Sequence, residues 1–417
     1  MLRDRTTDKL VLAALWLMMF SASAQIMIVS PILPEIADAL GTPVKSLGWL
    51  ISSYTVSLAV VALITGPISD AIGRRRILLF GTGSMALTLY LHAMVDSFTS
   101  MLIVRALAGA AGGMLSGAAV SYVGDYFPYE RRGWATGWIM SGMAVGQILG
   151  IPLGKKLAAS FGFRWPFLMF AVTMTGATLL VAWFVPQPDV KRGAERLSIV
   201  GSLRNYGKLL RQRPVVVASA AYLLMYASIG LYVVYLPLWM ETEVGIAKNQ
   251  IASLFFVGGI ANVIAGPMAG RVSDSIGRKP LIITSCIGLG ILMILTTRIV
   301  TNAWFAYLVF GLAMVMVALR ISPLQSLMTA LVPASRRGML MSLSVAIGQL
   351  GMSVSASASG FLYESRGFFS NTVAAAIVIL LMAILVHKLL PEPRSDVDAE
   401  VDAADEEHLA AAEVASG

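Results

Sequence analysis

The chain has 417 residues, of which 57% are apolar and only 13% charged, and its mean hydropathy is +0.77. A water-soluble protein could not cover that composition with a polar surface, so this is a membrane protein. The net charge of +8 does not indicate nucleic acid, because the basic residues follow membrane topology, and the single cysteine, Cys286, excludes an intrachain disulfide and any Cys-rich metal site.

Apolar runs of about twenty residues, the length that spans the hydrocarbon core as helix, predict twelve membrane helices at 10–33, 46–69, 77–95, 99–123, 134–157, 165–186, 214–240, 249–271, 280–299, 302–328, 338–360 and 368–390. The first run is too long for a cleavable signal and continues into "SPILPEIA", so it stays in place. Helices two and three are joined by "GPISDAIGRRR", Gly66 to Arg76, and "GRVSDSIGRKP" recurs at Gly270 to Pro280. Helix four carries Arg105, Gly109, Gly113 and Gly117 on one face, and helix five carries Gly142, Gly146, Gly150 and Gly154, with Pro152 near its end. Such a ladder serves helix packing or a substrate or proton element.

The loop from Pro186 to Pro214 carries seven basic and two acidic residues and reads as a solvated linker lying against anionic headgroups. It divides an N-terminal bundle, 1–186, from a C-terminal bundle, 214–390, with the linker at 187–213. Gly66, Asp70, Gly73 and Arg74 recur as Gly270, Asp274, Gly277 and Arg278, and "YERRGWATG" around Arg131 recurs as "PASRRGMLMS" around Arg336. Two repeats at nearly one offset establish internal duplication. The segment 391–417 has nine acidic residues and one arginine and is expected to be a disordered, solubilising tail. With the N-terminus inside, cytoplasmic segments hold 22 of the 31 Lys and Arg and the opposite face holds 7, which predicts cytoplasmic termini and a multi-pass protein of the inner membrane.

The sequence resembles the major facilitator superfamily, within it the drug:proton antiporters and their sugar and metabolite exporter relatives. The loop pattern G-x-x-x-D-x-x-G-R-[RK] carries the resemblance, with "VRALAGAAGG" in helix four and "GMAVGQILGIPLG" in helix five; Ile151 interrupts the usual Gly-Pro, which resembles the metabolite exporters as much as the multidrug ones. The resemblance implies an all-α membrane protein with twelve transmembrane helices in two pseudo-symmetric six-helix bundles. It implies gating by Gly66, Asp70, Gly73, Arg74, Asp125, Arg131, Asp274, Gly277 and Arg278, with Asp70 meeting helix eleven near Gly338 and Asp274 meeting helix five near Gly133. Asp125 pairs with the basic loops around Arg131. The basic residues also fix topology, and both roles can hold together.

In this family helices one, four, seven and ten line a central cavity, and the halves rock about it. Candidate substrate contacts are Gln25, Arg105, Tyr226, Tyr232, Arg320 and Gln325, with Trp138 and Asn262 on the side walls. Arg105 and Arg320 are intramembrane charges: either they receive an anionic substrate group, or they snorkel or pair with carbonyls. No Asp or Glu lies well inside a predicted helix; Glu35, beside Pro34 at the outer end of helix one, is the candidate coupling carboxylate. His92 reads as interfacial.

The expected function is alternating-access, proton-coupled efflux of a small amphiphilic or anionic compound, a drug or metabolite, by a monomer in the bilayer. A facilitator, an uptake carrier or a lipid flippase are alternatives on the same fold. There is no H-E-x-x-H, G-x-S-x-G or phosphate-cradling loop, so no enzyme, catalytic residue, cofactor or metal is expected.

Overall fold

A backbone crossing hydrocarbon has no water to bond with, so each apolar run must satisfy its own N–H and C=O groups as helix. The computed structural model describes residues 5–188, 199–332 and 337–390. The calls at 189–198, 333–336 and 391–417, including the acidic tail, lie outside the described residues, as do the side chains of Gly66, Asp70, Gly133, Asp274 and Gly338. Among the described residues, twelve helices are long and apolar enough to cross a membrane, in two pseudo-symmetric bundles of six.

In the first bundle the spans are α1 (Arg5–Met27), with α2 (Leu33–Leu40) following it, α3 (Gly48–Ile72), α4 (Arg74–Leu91), α5 (Phe98–Leu115) continued by α6 (Ala118–Tyr126), α7 (Tyr129–Phe161) and α8 (Arg164–Phe184). Between the bundles lies α9 (Ile199–Leu209), a helix inside the segment read from sequence as solvated linker; it packs on both α3 and the eleventh span. The second bundle has α10 (Arg213–Val233) continued by α11 (Leu236–Thr242), α12 (Lys248–Ile276), α13 (Arg278–Ile299), α14 (Ala303–Ala330), α15 (Arg337–Arg366) and α16 (Phe368–Leu389).

Three spans are interrupted where the sequence predicts continuous helix. The first ends at Met27 rather than near residue 33, because Pro31 and Pro34 bring no N–H to the ladder and the chain passes through a 3₁₀ turn, Ser30–Ile32, into α2. The fourth breaks at Gly117, which takes a left-handed φ of 77°. Gly117 is thus a hinge and not a rung of the ladder predicted for it. The seventh breaks between Val233 and Leu236, ahead of Pro237.

The duplication is written in backbone conformation. Gly73 (φ 103°) turns α3 into α4, and Gly277 (φ 91°) turns α12 into α13 at the equivalent corner. A residue with a Cβ is strained there, so the second glycine of the repeated motif is required by the turn itself. Gly41 pairs with Gly245 in the same way, and Gly162 with Gly367. Packing repeats too: α1 lies on α7 and α8 as α10 lies on α15 and α16, and α3 lies on α5 as α12 lies on α14. The bundles meet along α3–α15 and α7–α12.

Glycines set the closest of these approaches. A Cβ on Gly142 would stand 2.5 Å from Trp16 O, one on Gly146 would run into Phe20 O and Ser23 Oγ, and Gly150 and Gly154 face Ala24 and Ile28. Steps of four on both helices make one continuous α1–α7 seam. Replacing Gly146 by Leu therefore forces backbone against backbone and should lower stability by about 1–3 kcal/mol or more. Gly137, also in α7 but with nothing within 4 Å of its built Cβ, should accept Leu. Thermal denaturation of the two purified variants in detergent checks the contrast; equal melting temperatures would contradict the seam.

Candidate functional site

Opposite the end that carries the α9 linker, four charges from four segments converge. Lys155, on α7, places Nζ 2.9 Å from Glu35 Oε1 and 3.2 Å from Glu241 Oε2, and donates to Pro31 O at 2.7 Å. Lys248, at the start of α12, places Nζ 3.3 Å from Glu35 Oε1 and 3.1 Å from Glu241 Oε1. Each base meets each acid. Glu35 and Lys155 belong to the first bundle, Glu241 and Lys248 to the second, so the net-neutral square joins the two. Glu35 Oε1 takes its two ammonium groups as ion pairs without an aligned hydrogen bond.

Burial makes this square more than a surface ion pair. The Lys155 side chain is 1% exposed and that of Glu35 9%, whereas Lys248 is 41% exposed and forms its wet edge. Such an ammonium is tolerable only while its carboxylates stay charged, because removing one partner of a buried pair strands the other. Glu35 also lines an open cavity of about 530 Å³ with Asp38, Arg164 and Trp165, which brings solvent to the carboxylate.

Neighbouring contacts close the same end. Ser30 Oγ donates to Val233 O and Val234 O at 2.8 and 2.9 Å, where α10 breaks and frees its carbonyls. The Tyr235 hydroxyl donates to Val44 O at 2.7 Å and accepts from Gly48 N at 3.1 Å. Ser52 Oγ lies 2.5 Å from Ser353 O and 2.6 Å from Ser357 Oγ, binding α3 to α15. Lys45 and Glu364 add an exposed pair at 3.5 Å.

At the linker end, Arg74 Nε donates to Asp125 Oδ2 at 2.7 Å and Arg74 Nη1 to Ser69 Oγ at 3.0 Å, which ties α4 to α6 behind the Gly73 turn. Arg131 meets Asp8 Oδ2 at 3.3 Å, and Tyr126 donates to Asp8 Oδ1. These pairs lie within the first bundle. The expected meetings of Asp70 with Gly338 and of Asp274 with Gly133 fall outside the described residues. Gly277 is the turn described above, and Arg278 begins α13.

Inside the membrane the predicted substrate residues separate into two sets. Arg105 is fully enclosed: Nη1 donates to Gln25 Oε1 and Nε to Leu50 O, both at 3.3 Å, and the guanidinium lies 4.4 Å from the Tyr54 ring centroid. Gln25 Nε2 in turn donates to the Tyr54 hydroxyl at 2.9 Å. Arg105 is therefore a tie between α1, α3 and α5 and does not snorkel. Tyr232 is likewise buried, 2.8 Å from Thr296 Oγ1, with its ring 6.0 Å from Phe368. Tyr226, Asn262, Gln325 and Trp138 remain partly or well exposed; Tyr226 stacks on Tyr222, and Gln325 reaches the Tyr222 hydroxyl.

Arg320 is fully buried, and none of Nε, Nη1 and Nη2 has a hydrogen-bond partner, so it neither snorkels nor takes a backbone carbonyl. His92, in the turn that ends the third span, is buried against Phe167 at 4.1 Å, with Nδ1 2.7 Å from Thr88 O. Sequence reasoning singled out Glu35 but missed Lys155, Glu241 and Lys248. The available signal was their position at the far ends of spans in a chain poor in charge.

Comparison with known proteins agrees with this architecture. The Major Facilitator Superfamily model matches residues 15–238 and 218–414. An uncharacterized MFS-type transporter, YceJ of Bacillus subtilis (strain 168), is 24% identical over 383 residues, 90% of this chain and 96% of that protein. Multidrug resistance protein MdtG of Proteus mirabilis (strain HI4320) is 27% identical over 303 residues, 69% of this chain and 73% of its own. Among solved structures, a D-xylose–proton symporter superposes with a TM-score of 0.76 at 16% identity over 93% of this chain and 99% of its own. The human organic anion transporter MFSD10 (TETRAN) gives 0.68 at 19% identity, over 91% and 99%. With its repeated bundles, glycine corners and matching halves, the chain belongs to the Major Facilitator Superfamily and is a multi-pass membrane transporter of small molecules.

Proposed function

We propose that the protein is a secondary active transporter that works by alternating access and exports a small amphiphilic or anionic compound in exchange for protons. The observation that carries this reading is the four-charge square, a neutral, partly buried clamp between two bundles whose other polar contacts at this end are hydroxyl bonds and one exposed ion pair. The positive-inside rule supports a cytoplasmic linker end and cytoplasmic termini in the inner membrane. The square then closes the outer end. Relatedness to proteins named for multidrug resistance supports export.

Glu35 is the residue on which the clamp turns. Both of its lysine contacts depend on its charge, and the adjoining cavity gives it water. Protonation from outside removes that charge, leaves Lys155 with Glu241 and Pro31 O alone, and favours parting of the bundles at this end. Release of the proton restores the square. The transition makes outward opening depend on an external proton; exchange further requires that the proton leave toward the linker end once the outer end has closed.

Glu35→Gln imitates the protonated form. Losing one partner of a buried pair costs about 3–5 kcal/mol, and every 1.4 kcal/mol is about tenfold in an equilibrium, so the outer-closed population should fall by about 100-fold or more. Pulsed electron resonance between labels at positions 38 and 249 should report a longer distance in the variant at neutral pH, and a wild-type distance that lengthens on acidification. An unchanged distribution in both would remove Glu35 from the gate.

The substrate reading rests on Arg105, Arg320, Gln25, Tyr226, Tyr232, Asn262, Gln325 and Trp138. Of these, Tyr226, Asn262, Gln325 and Trp138 are partly or well exposed in this conformation, and the others are buried. Metabolite and toxicant retention compared between cells with and without the protein should reveal a depleted amphiphile or anion. The same compound should drive proton movement in proteoliposomes. Arg105→Ala should abolish that flux while leaving membrane insertion intact, because it orphans Gln25 Oε1 and Leu50 O; wild-type flux in the variant would exclude Arg105.

A further inference from the structure

The open cavity beside the square, about 530 Å³, is in the size range of small-molecule sites, and three segments wall it. From α2 come Glu35 and Asp38, three residues apart and so on one face of the helix. The end of α7 contributes Phe161, and the start of α8 contributes Arg164 and Trp165. Gly162 turns α7 into α8 at a φ of 95°, and a Cβ built on it meets nothing within 4 Å, so the turn leaves the space beside it open.

Asp38 is exposed and has no ion-pair or hydrogen-bond partner among the described residues. Glu35 is nine-tenths buried, and its Oε1 accepts no hydrogen bond although two ammonium groups stand beside it. Arg164 gives Nε and Nη2 to Val95 O at 3.1 and 2.5 Å, and its guanidinium carbon lies 4.9 Å from the Phe163 ring centroid; this fixes the group and leaves Nη1 for another acceptor. A simple cation here would face Arg164, and a simple anion would face Asp38. A zwitterion matches both. The exposed rings of Phe161 and Trp165, with centroids 5.4 Å apart, add apolar surface and a π face for an ammonium. The fifth span ends at Phe161 and the sixth begins at Arg164, so the two rings stand at the interfacial level where aromatic side chains meet lipid headgroups.

We propose that this cavity seats the headgroup of an aminophospholipid from the surrounding leaflet, with its ammonium on Asp38 and Glu35, its phosphate on Arg164 Nη1, and its glycerol and first methylenes against Phe161 and Trp165. Each polar group of the wall then has a partner of opposite charge, and the rings cover the apolar part of the ligand. Because Glu35 also belongs to the square, the bound ammonium competes with Lys155 and Lys248 for its carboxylate. That consequence for the gate rests on the alternating-access reading above; the lipid seat does not.

Native mass spectrometry of the purified protein, titrated with lipid, reads the seat directly. Phosphatidylethanolamine should bind at about tenfold lower concentration than phosphatidylglycerol, which keeps the phosphate and lacks the ammonium. Asp38→Asn should abolish that preference, and Asp38→Glu should keep it. A second measurement needs no variant: in wild-type protein, phosphatidylethanolamine with a diazirine beside its glycerol should label the segment 158–165 above the other span ends, and unlabelled phosphatidylethanolamine should suppress that label where phosphatidylglycerol does not. Equal affinity for the two lipids, an unchanged preference in Asp38→Asn, or label spread evenly over the span ends would overturn the seat. Glycerophosphoethanolamine, the same headgroup without acyl chains, should fail to displace the lipid at equal concentration; displacement would assign the cavity to a soluble zwitterion and overturn the lipid source. Absence of proton-linked flux would overturn the antiport reading and leave the seat standing.

Discussion

In hydrocarbon a charge must be neutralised by the protein itself, and the arrangement of this molecule follows from that constraint. The chain meets it in three ways. At the end remote from the linker, two acids and two bases cancel within one square. Inside the first bundle, Arg105 is met by neutral acceptors and an aromatic face. Inside the second bundle, Arg320 is buried with no hydrogen-bond partner for its guanidinium. The first solution is reversible, because proton uptake by a carboxylate unbalances the square. The second is not, since neither an amide nor a carbonyl changes charge over the biological range. The distinction separates residues that gate from residues that hold a bundle together.

The compensated pairs become mechanically useful because the bundles are rigid. Glycine seams bring α1 to α7, α3 to α5, and α10 to α15 at distances that no larger residue allows. Glycines also bring the two bundles together, Gly48 against Ala356 O and Gly360 against Lys45 O, beside hydroxyl-to-carbonyl bonds and ion pairs. Ser30, Tyr235 and Ser52 bond to carbonyls or amides freed by helix breaks, or to a serine pair across α3 and α15. Each such bond has nearly the same net value whether made to protein or to water. The closed end is therefore held by many exchangeable contacts and two charge-dependent ones, the exposed Lys45–Glu364 pair and the buried square, and the square is where a proton has leverage.

Much of the fold was legible because it depends on local periodicity. Apolar length gave the twelve spans, and the repeated "DxxGR" gave the duplication, with Gly73 and Gly277 as its corners. The breaks at Ser30, Gly117 and Tyr235 were not read, since a helix interrupted inside an apolar run keeps its hydropathy while changing direction. The square was only one-quarter legible. Glu35 was visible beside Pro34, but its partners are 120, 206 and 213 positions away on other segments, and no spacing rule connects them. Arg105 and Arg320 were both seen as intramembrane charges, whereas their opposite environments depend on which helix each faces.

That opposition bears on how two copies of one bundle come to share the work. At the positions equivalent by duplication, Phe310 stands for Arg105 and Leu115 for Arg320, so each bundle carries one interior arginine and neither has the other's. The first bundle spends its arginine on three helices at once, and its glycine-lined α5 and α7 leave that tie no room to shift. The second bundle carries its arginine on α14, which runs on through Pro323 in the following turn, where a carbonyl loses its usual N–H partner. The duplication supplied the symmetric frame and corners; unequal placement of charge gives the two halves their separate roles.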